Sequence, residues 1–274
     1  MRSEFIRYKS SLVHYYFLDR GSRVMVCFHG YDESGSAFEI MKDVLPSASS
    51  VLAIDLPFHG KTEWDPATTF EAAVLWEILL SIFSKHRKMA FKLEIAGFSM
   101  GGRIALSLLE HQPSNIERMV LLAPDGLKFN FWYWLTTRTY GGQKLFRHTM
   151  KHPAWLLLAM RIGRKLGMIN QSIFKFTYYH LKEPAGRKLL YDRWMAMRWM
   201  RPEISNLKQK IRNQEIPVLL IYGSFDRIMP AASGKKFSQD TDELCKVEMI
   251  ACGHQIMQPK NKKNLLKIFR RLKF

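Results

Sequence analysis

Leu93-Glu94-Ile95-Ala96-Gly97-Phe98-Ser99-Met100-Gly101-Gly102-Arg103-Ile104-Ala105-Leu106 is the segment that decides the fold. Its first residues are a short apolar run of the kind that forms a buried strand. Its last residues carry helical periodicity. Between them lies Gly97-Phe98-Ser99-Met100-Gly101, a G-x-S-x-G pattern in the strand, tight turn, helix context that holds a serine in a strained conformation. Side chains two residues before and after such a serine would strike the flanking strand and helix, and Gly97 and Gly101 remove them. The turn also places Ser99 at a helix N-terminus, where the backbone N–H of Met100 points outward and can stabilise a developing oxyanion.

Working outward, Val24 to Phe28, Val51 to Ile54, Met119 to Leu122, Val218 to Ile221 and Val247 to Ile250 are further compact apolar runs. With Leu93 to Ala96 they predict a mostly parallel central sheet buried on both faces. Phe5 to Lys9 and Leu12 to Leu18 predict two opening antiparallel strands. Helical periodicity fits Ala37 to Val44, Phe70 to Phe83, Gly101 to Leu109, Ala231 to Phe237 and Asn264 to Leu272, so the fold class is α/β with helices flanking the sheet.

The alternation stops after Asp125 and resumes at Pro217. That gap is too long for a structureless loop. The helical patterns within it, Phe129 to Leu135, Pro153 to Leu166, Ile173 to Leu181 and Leu189 to Met200, predict an inserted helical cap. The expected organisation is a core in two parts, 1–126 and 217–274, with the cap at 127–216. Charge follows the same division. Of the net +18, residues 127–216 hold 18 Lys and Arg against 4 Asp and Glu, and Lys260 to Phe274 hold 7 basic residues and no acid, leaving 18 − 14 − 7 = −3 elsewhere. The cap also contains Trp132, Trp134, Trp155, Trp194 and Trp199. Aromatic bulk with positive charge suits a lid over a pocket, and it equally suits helices packed on one another.

Taken together the chain resembles the α/β-hydrolase fold, with a cap inserted after the sixth strand of the sheet. Phe28-His29-Gly30-Tyr31 is similar to that family's oxyanion segment, which implies the backbone N–H of Tyr31 as second oxyanion donor beside Met100. Asp55-Leu56-Pro57-Phe58-His59-Gly60 resembles its D-x-P-x-H-G signature. The fold orders its triad as serine, acid, histidine. Gly223-Ser224-Phe225-Asp226 through Pro230 resembles the acid segment, and Gly253-His254 beyond the last strand resembles the base. The resemblance implies Ser99 as nucleophile, Asp226 as orienting acid and His254 as general base. Asp125, after the strand Met119 to Leu122, is a competing acid whose alternative is a turn residue in Pro124-Asp125-Gly126.

These residues imply a serine hydrolase acting on a small-molecule ester or related acyl bond, the substrate being anionic if the basic cap steers it. His29, Phe98 and Arg103 are the candidate substrate-binding residues. His29 and His59 could instead brace their loops, and Arg103 could pair with a nearby carboxylate. Gly101-Gly102-Arg103 also resembles the menaquinone-pathway synthase that eliminates pyruvate from a cyclohexene carboxylate, which is the alternative activity. A third reading is a hydrolase-fold binding module for a membrane surface, with Phe129 to Leu135 between Lys128 and Arg138 at the interface.

Neither a metal-ligand spacing nor a phosphate-binding loop is present in the sequence, so neither metal nor other cofactor is expected. The basic residues form no nucleic-acid-binding module, so no nucleic-acid partner is expected. Cys27, Cys245 and Cys252 imply no disulfide framework. The charged first ten residues lack an apolar signal region, and no run reaches spanning length, so the expected place is the cytoplasm, with peripheral membrane contact through the cap.

Overall fold

A computed structural model describes residues 1–87, 92–169, 171–239 and 241–272. Lys273, the last cation of the basic tail, lies outside them. Strands β1 (Arg2–Tyr8), β2 (Ser11–Leu18), β3 (Arg23–Phe28), β4 (Ser49–Ile54), β5 (Leu93–Phe98), β6 (Ile116–Leu122), β7 (Val218–Gly223) and β8 (Cys245–Ile250) form one sheet in the order β1-β2-β4-β3-β5-β6-β7-β8. β1 and β2 pair antiparallel, β2 meets β4 antiparallel, and every pairing from β4 to β8 is parallel. All six residues of β4, β5 and β7 are buried, as expected of strands covered on both faces.

Helices α1 (Met41–Val44), α2 (Ala72–Lys85), α3 (Met100–His111), α9 (Ile204–Asn213), α10 (Ala232–Ser238) and α11 (Lys262–Leu272) belong to the sheet unit, which comprises 1–65, 70–128 and 200–272 of the described chain. The expected helix from Ala37 to Val44 is a 3-10 turn over Gly35–Ile40 followed by the single-turn α1. Parallel pairing sets the carboxyl ends of β3, β5, β6, β7 and β8 along one edge. The loops that follow those ends carry Tyr31, Ser99, Asp125, Asp226 and His254.

A second compact unit comprises 66–69 and 129–199 and holds α4 (Phe131–Arg138), α5 (Tyr140–Lys151), α6 (Ala154–Lys165), α7 (Gln171–Lys182) and α8 (Pro184–Ala196). All its named elements are helices, as the helical patterns within the insertion predict. Its division from the sheet unit falls at 129 and 199, since Leu207 and Ile211 of α9 are buried with the sheet unit. Asn130 and Thr139 cap α4 and α5 by accepting the N–H groups of Tyr133 and Gly142. The core of this unit is aromatic: the Trp194 ring lies 5.1 Å from Tyr133 and 5.3 Å from Phe146, and the Tyr133 hydroxyl donates to the Trp194 carbonyl. Among the described residues, no helix is long and apolar enough to cross a membrane.

Candidate active site

The geometry starts from the turn at Ser99. Its φ of 49° and ψ of −116° lie in a region that a residue with a Cβ adopts only under constraint, at a cost of about 1–3 kcal/mol. The constraint is visible on both sides. The Ser99 N–H donates to the Leu122 carbonyl at 2.9 Å, while the Ser99 carbonyl accepts from Gly102 and Asp125. A Cβ on Gly97 would stand 2.5 Å from the Gly101 carbonyl oxygen, and one on Gly101 would overlap the Phe28 carbonyl at the end of β3. The two glycines are therefore what lets β5, α3 and β3 close on the serine. Met100 opens α3, so its N–H has no acceptor within the helix.

The loop after β7 brings in Asp226. Asp226 is buried, and its Oδ1 accepts the N–H groups of Ile228 at 2.8 Å and Met229 at 3.0 Å. Its Oδ2 stands 2.7 Å from His254 Nδ1, and His254 Nε2 stands 3.0 Å from Ser99 Oγ. An ionised carboxylate only accepts, so Nδ1 carries the proton, and Nε2 is left to accept the hydrogen of the Ser99 hydroxyl. Burial raises the Asp226 carboxyl. The His254 hydrogen bond and the Met229 and Ile228 amides outweigh that and hold it below its ordinary value. Phe98 is buried with its ring 5.1 Å from the imidazole, and a side chain on Gly30 would strike that ring, so Phe98 packs against both His254 and the loop after β3.

The structure brings Ser99, His254 and Asp226 together and gives the other candidates different neighbours. Asp125 faces Arg103 at 3.6 Å and accepts the Gly126 N–H at 2.8 Å, so it is engaged away from the imidazole. Arg103 is buried against that carboxylate. His29 Nε2 accepts the Leu56 N–H at 3.0 Å and its Nδ1 donates to the Gly30 carbonyl at 2.7 Å, the bracing geometry that its alternative anticipates. His59 Nδ1 lies 2.9 Å from the Pro57 carbonyl, and the Tyr31 ring meets His59 edge-on at 5.6 Å. Cys27, Cys245 and Cys252 are buried and free, and burial raises all three thiols, which disfavours thiolate chemistry beside His254.

Two features have no counterpart among the sequence expectations. Glu33 accepts the Gly30 N–H at 3.2 Å, and burial pushes its carboxyl up against the lowering influence of Gln255, Gly30 and His254. A lone Glu three residues past a glycine carries no signal of that. The second is another Ser, His, Asp chain: Ser3 Oγ lies 2.7 Å from His14 Nε2, and His14 Nδ1 lies 2.7 Å from Asp55 Oδ2. Asp55 also accepts from Gly35 and Lys61. Ser3 sits inside the regular edge strand β1, with neither a strained turn nor a helix N-terminus beside it. Contact alone therefore does not distinguish the two serines. The turn and the dipole of α3 do.

A doubly flanked parallel sheet that carries a strained serine at the head of a helix, with histidine and aspartate brought to it from later strand ends, defines the class of fold. The alpha/beta hydrolase fold family model matches residues 23–257, and the chain belongs to that family and to its hydrolase class of enzymes. It is 24% identical over 245 residues to the uncharacterized hydrolase YugF of Bacillus subtilis, covering 88% of this chain and 86% of that one. It is likewise 24% identical over 243 residues to a pimeloyl-[acyl-carrier protein] methyl ester esterase of Nitrosomonas europaea, covering 84% and 88%. Among solved structures, a thermophilic esterase of Thermogutta terrifontis superposes with a TM-score of 0.66 at 15% identity, covering 100% of this chain and 98% of the other.

Proposed function

We propose that the protein cleaves a carboxylic ester, or a related acyl bond, through an acyl-enzyme on Ser99. The observation that carries this is the hydrogen-bonded chain from Ser99 through His254 to Asp226, at the head of α3. In the first half-reaction Ser99 Oγ attacks the carbonyl carbon and its proton passes to His254 Nε2. The N–H groups of Met100 and Tyr31 receive the oxyanion. Collapse breaks the bond to the leaving alcohol, which takes the proton from His254. Water then enters, gives its proton to His254 and releases the acid, returning the hydroxyl to Ser99. Asp226 stays ionised throughout and holds the imidazole in the productive tautomer.

The helical unit, inserted in the chain between β6 and the acid segment, is assigned the part of a substrate-selecting cap. Its positive charge favours an anionic ester by raising the encounter rate, an effect screened over ~8 Å at physiological ionic strength. A relative named as an esterase acting on a carrier-protein methyl ester supports an ester as the bond. The elimination alternative calls on Arg103 to meet a substrate carboxylate, and that guanidinium already faces Asp125.

Turnover of a panel of p-nitrophenyl acyl esters tests the reading. Wild type should hydrolyse at least one chain length, and Ser99→Ala should fall to the background rate while keeping its fold. Full turnover by Ser99→Ala would remove the proposal. For steering, kcat/KM on an anionic ester should drop with added salt while a neutral ester of equal length responds little. An equal response would leave the basic charge without that role.

A further inference from the structure

Helix α6 turns its apolar side outward. Trp155, Leu158 and Ile162, with Leu166 just past its end, follow one another at steps of three, four and four, which places them on one face. Each is between 47 and 68% exposed, and Met160 is the buried residue of the helix. Met168 continues the exposed apolar surface in the next turn. In a helix built only to pack inside its own unit, this stripe would be the buried one. Arg161 and Lys165 border the stripe on one side. Both are exposed, and neither has an ion pair among the described residues. Arg164, on the opposite side, stacks over Phe174 at 4.4 Å and is already engaged.

The charge around the stripe narrows what can cover it. Residues 129–199 carry 13 Lys and Arg against 2 Asp and Glu, a net of 13 − 2 = +11. A second copy of this chain would set that charge against itself across a symmetric contact. Nucleic acid would meet the cations but has no use for Leu158, Ile162 and Leu166. An anionic bilayer satisfies both features: acyl chains take the aliphatic stripe, headgroup phosphates take Arg161 and Lys165, and Trp155 suits the boundary between them. We propose that α6 lies flat in the surface of an anionic lipid bilayer and docks the protein there. This docking does not depend on the chemistry assigned to Ser99. Phe129, just before α4, and Phe131 and Trp132 in its first turn are also exposed, as further apolar side chains able to enter such a surface.

Flotation of the full-length protein with vesicles tests this. Binding is expected to phosphatidylglycerol-containing vesicles and to be far weaker with pure phosphatidylcholine, falling as salt is raised. Leu158→Glu with Ile162→Glu should weaken binding at least tenfold, while the far-ultraviolet circular dichroism spectrum and the thermal midpoint stay unchanged and show the fold intact. Arg161→Gln with Lys165→Gln should weaken it by about fivefold per cation. Equal binding of the Leu158, Ile162 variant and wild type would overturn the assignment, as would absence of binding to the anionic vesicles. It would equally be overturned if the stripe variant abolished self-association, or capture of an acidic protein, with vesicle binding unaffected.

Discussion

Asp226→Asn replaces one oxygen by an amide nitrogen in a site that dictates which way the amide must face. The N–H groups of Ile228 and Met229 both donate to Oδ1, at 2.8 and 3.0 Å, so the asparagine carbonyl oxygen must take that position. Its NH2 group then occupies the place of Oδ2, 2.7 Å from His254 Nδ1, and two donors cannot share that line. The imidazole answers by moving its proton to Nε2, which can no longer accept the Ser99 hydroxyl hydrogen. The shape of the site is kept and the base is lost. An aspartate-to-asparagine change that only fixes the wrong tautomer costs about 10⁴ in kcat, or about 5 kcal/mol of transition-state stabilisation. KM should change little. Asp226→Ala leaves no amide to enforce the wrong tautomer, so asparagine should be at least as damaging as alanine. Steady-state kinetics on a p-nitrophenyl ester gives the rates, and ¹⁵N chemical shifts of the His254 imidazole report the tautomer. An Asp226→Asn enzyme within tenfold of wild type, or one whose Nδ1 still carries the proton, would refute this reasoning.

Asp125→Asn should leave kcat/KM within about threefold and lower stability by about 1–2 kcal/mol through the weakened Arg103 pairing, as read by urea denaturation; a large kinetic loss there would move the acid from Asp226 to Asp125. Gly101→Ala should destabilise by about 3 kcal/mol or more, because the added methyl meets backbone carbonyls on β3 that cannot swing aside, whereas Gly141→Ala, in open space within α5, should gain about 0.5 kcal/mol. Similar effects at the two glycines in chemical denaturation would contradict the packing assigned to the turn. Glu33 has a folded pKa above its ordinary value, so the stability it permits is present below about pH 4.3 and is lost as pH rises through the raised value. Glu33→Gln keeps an acceptor for the Gly30 N–H and should therefore raise the thermal midpoint at pH 8 but not at pH 4; an equal shift at both would show that the carboxyl's charge is not the cause.

The strands were legible because burial on both faces leaves runs such as Val51 to Ile54 and Val218 to Ile221 without polar interruption, and each of these two observed strands extends its run by two residues; the edge strand β1 instead spans Arg2–Tyr8 where Phe5 to Lys9 was expected, because its mostly exposed residues leave no apolar run to mark its ends. Helix α5 was hidden by Gly141 and Gly142 near its start, where the Thr139 cap rather than residue propensity fixes the helix. Helix α9 was hidden because Ile204, Leu207 and Ile211 are its only aliphatic residues. α8 begins at Pro184, ahead of the expected Leu189, and a proline at the first helical position is a start signal present in the sequence. Pairings distant in the chain were the least accessible. Nothing local joins His14 to Asp55 or marks Glu33 as half-buried, since both depend on how loops from separate strands meet. Ser99, Asp226 and His254 were legible for the opposite reason: each follows a strand whose end the topology brings to one edge.

Reaction with a fluorophosphonate followed by mass-spectrometric mapping addresses the central claim most directly, because the reagent reports an activated serine and Ser3 as well as Ser99 is hydrogen-bonded to a histidine. One label per chain, on Ser99, abolished in Ser99→Ala and retained in Ser3→Ala, is the outcome expected from a strained turn at a helix N-terminus backed by His254 and Asp226. Undiminished labelling of Ser99→Ala, with the adduct on Ser3 or elsewhere, would contradict the account.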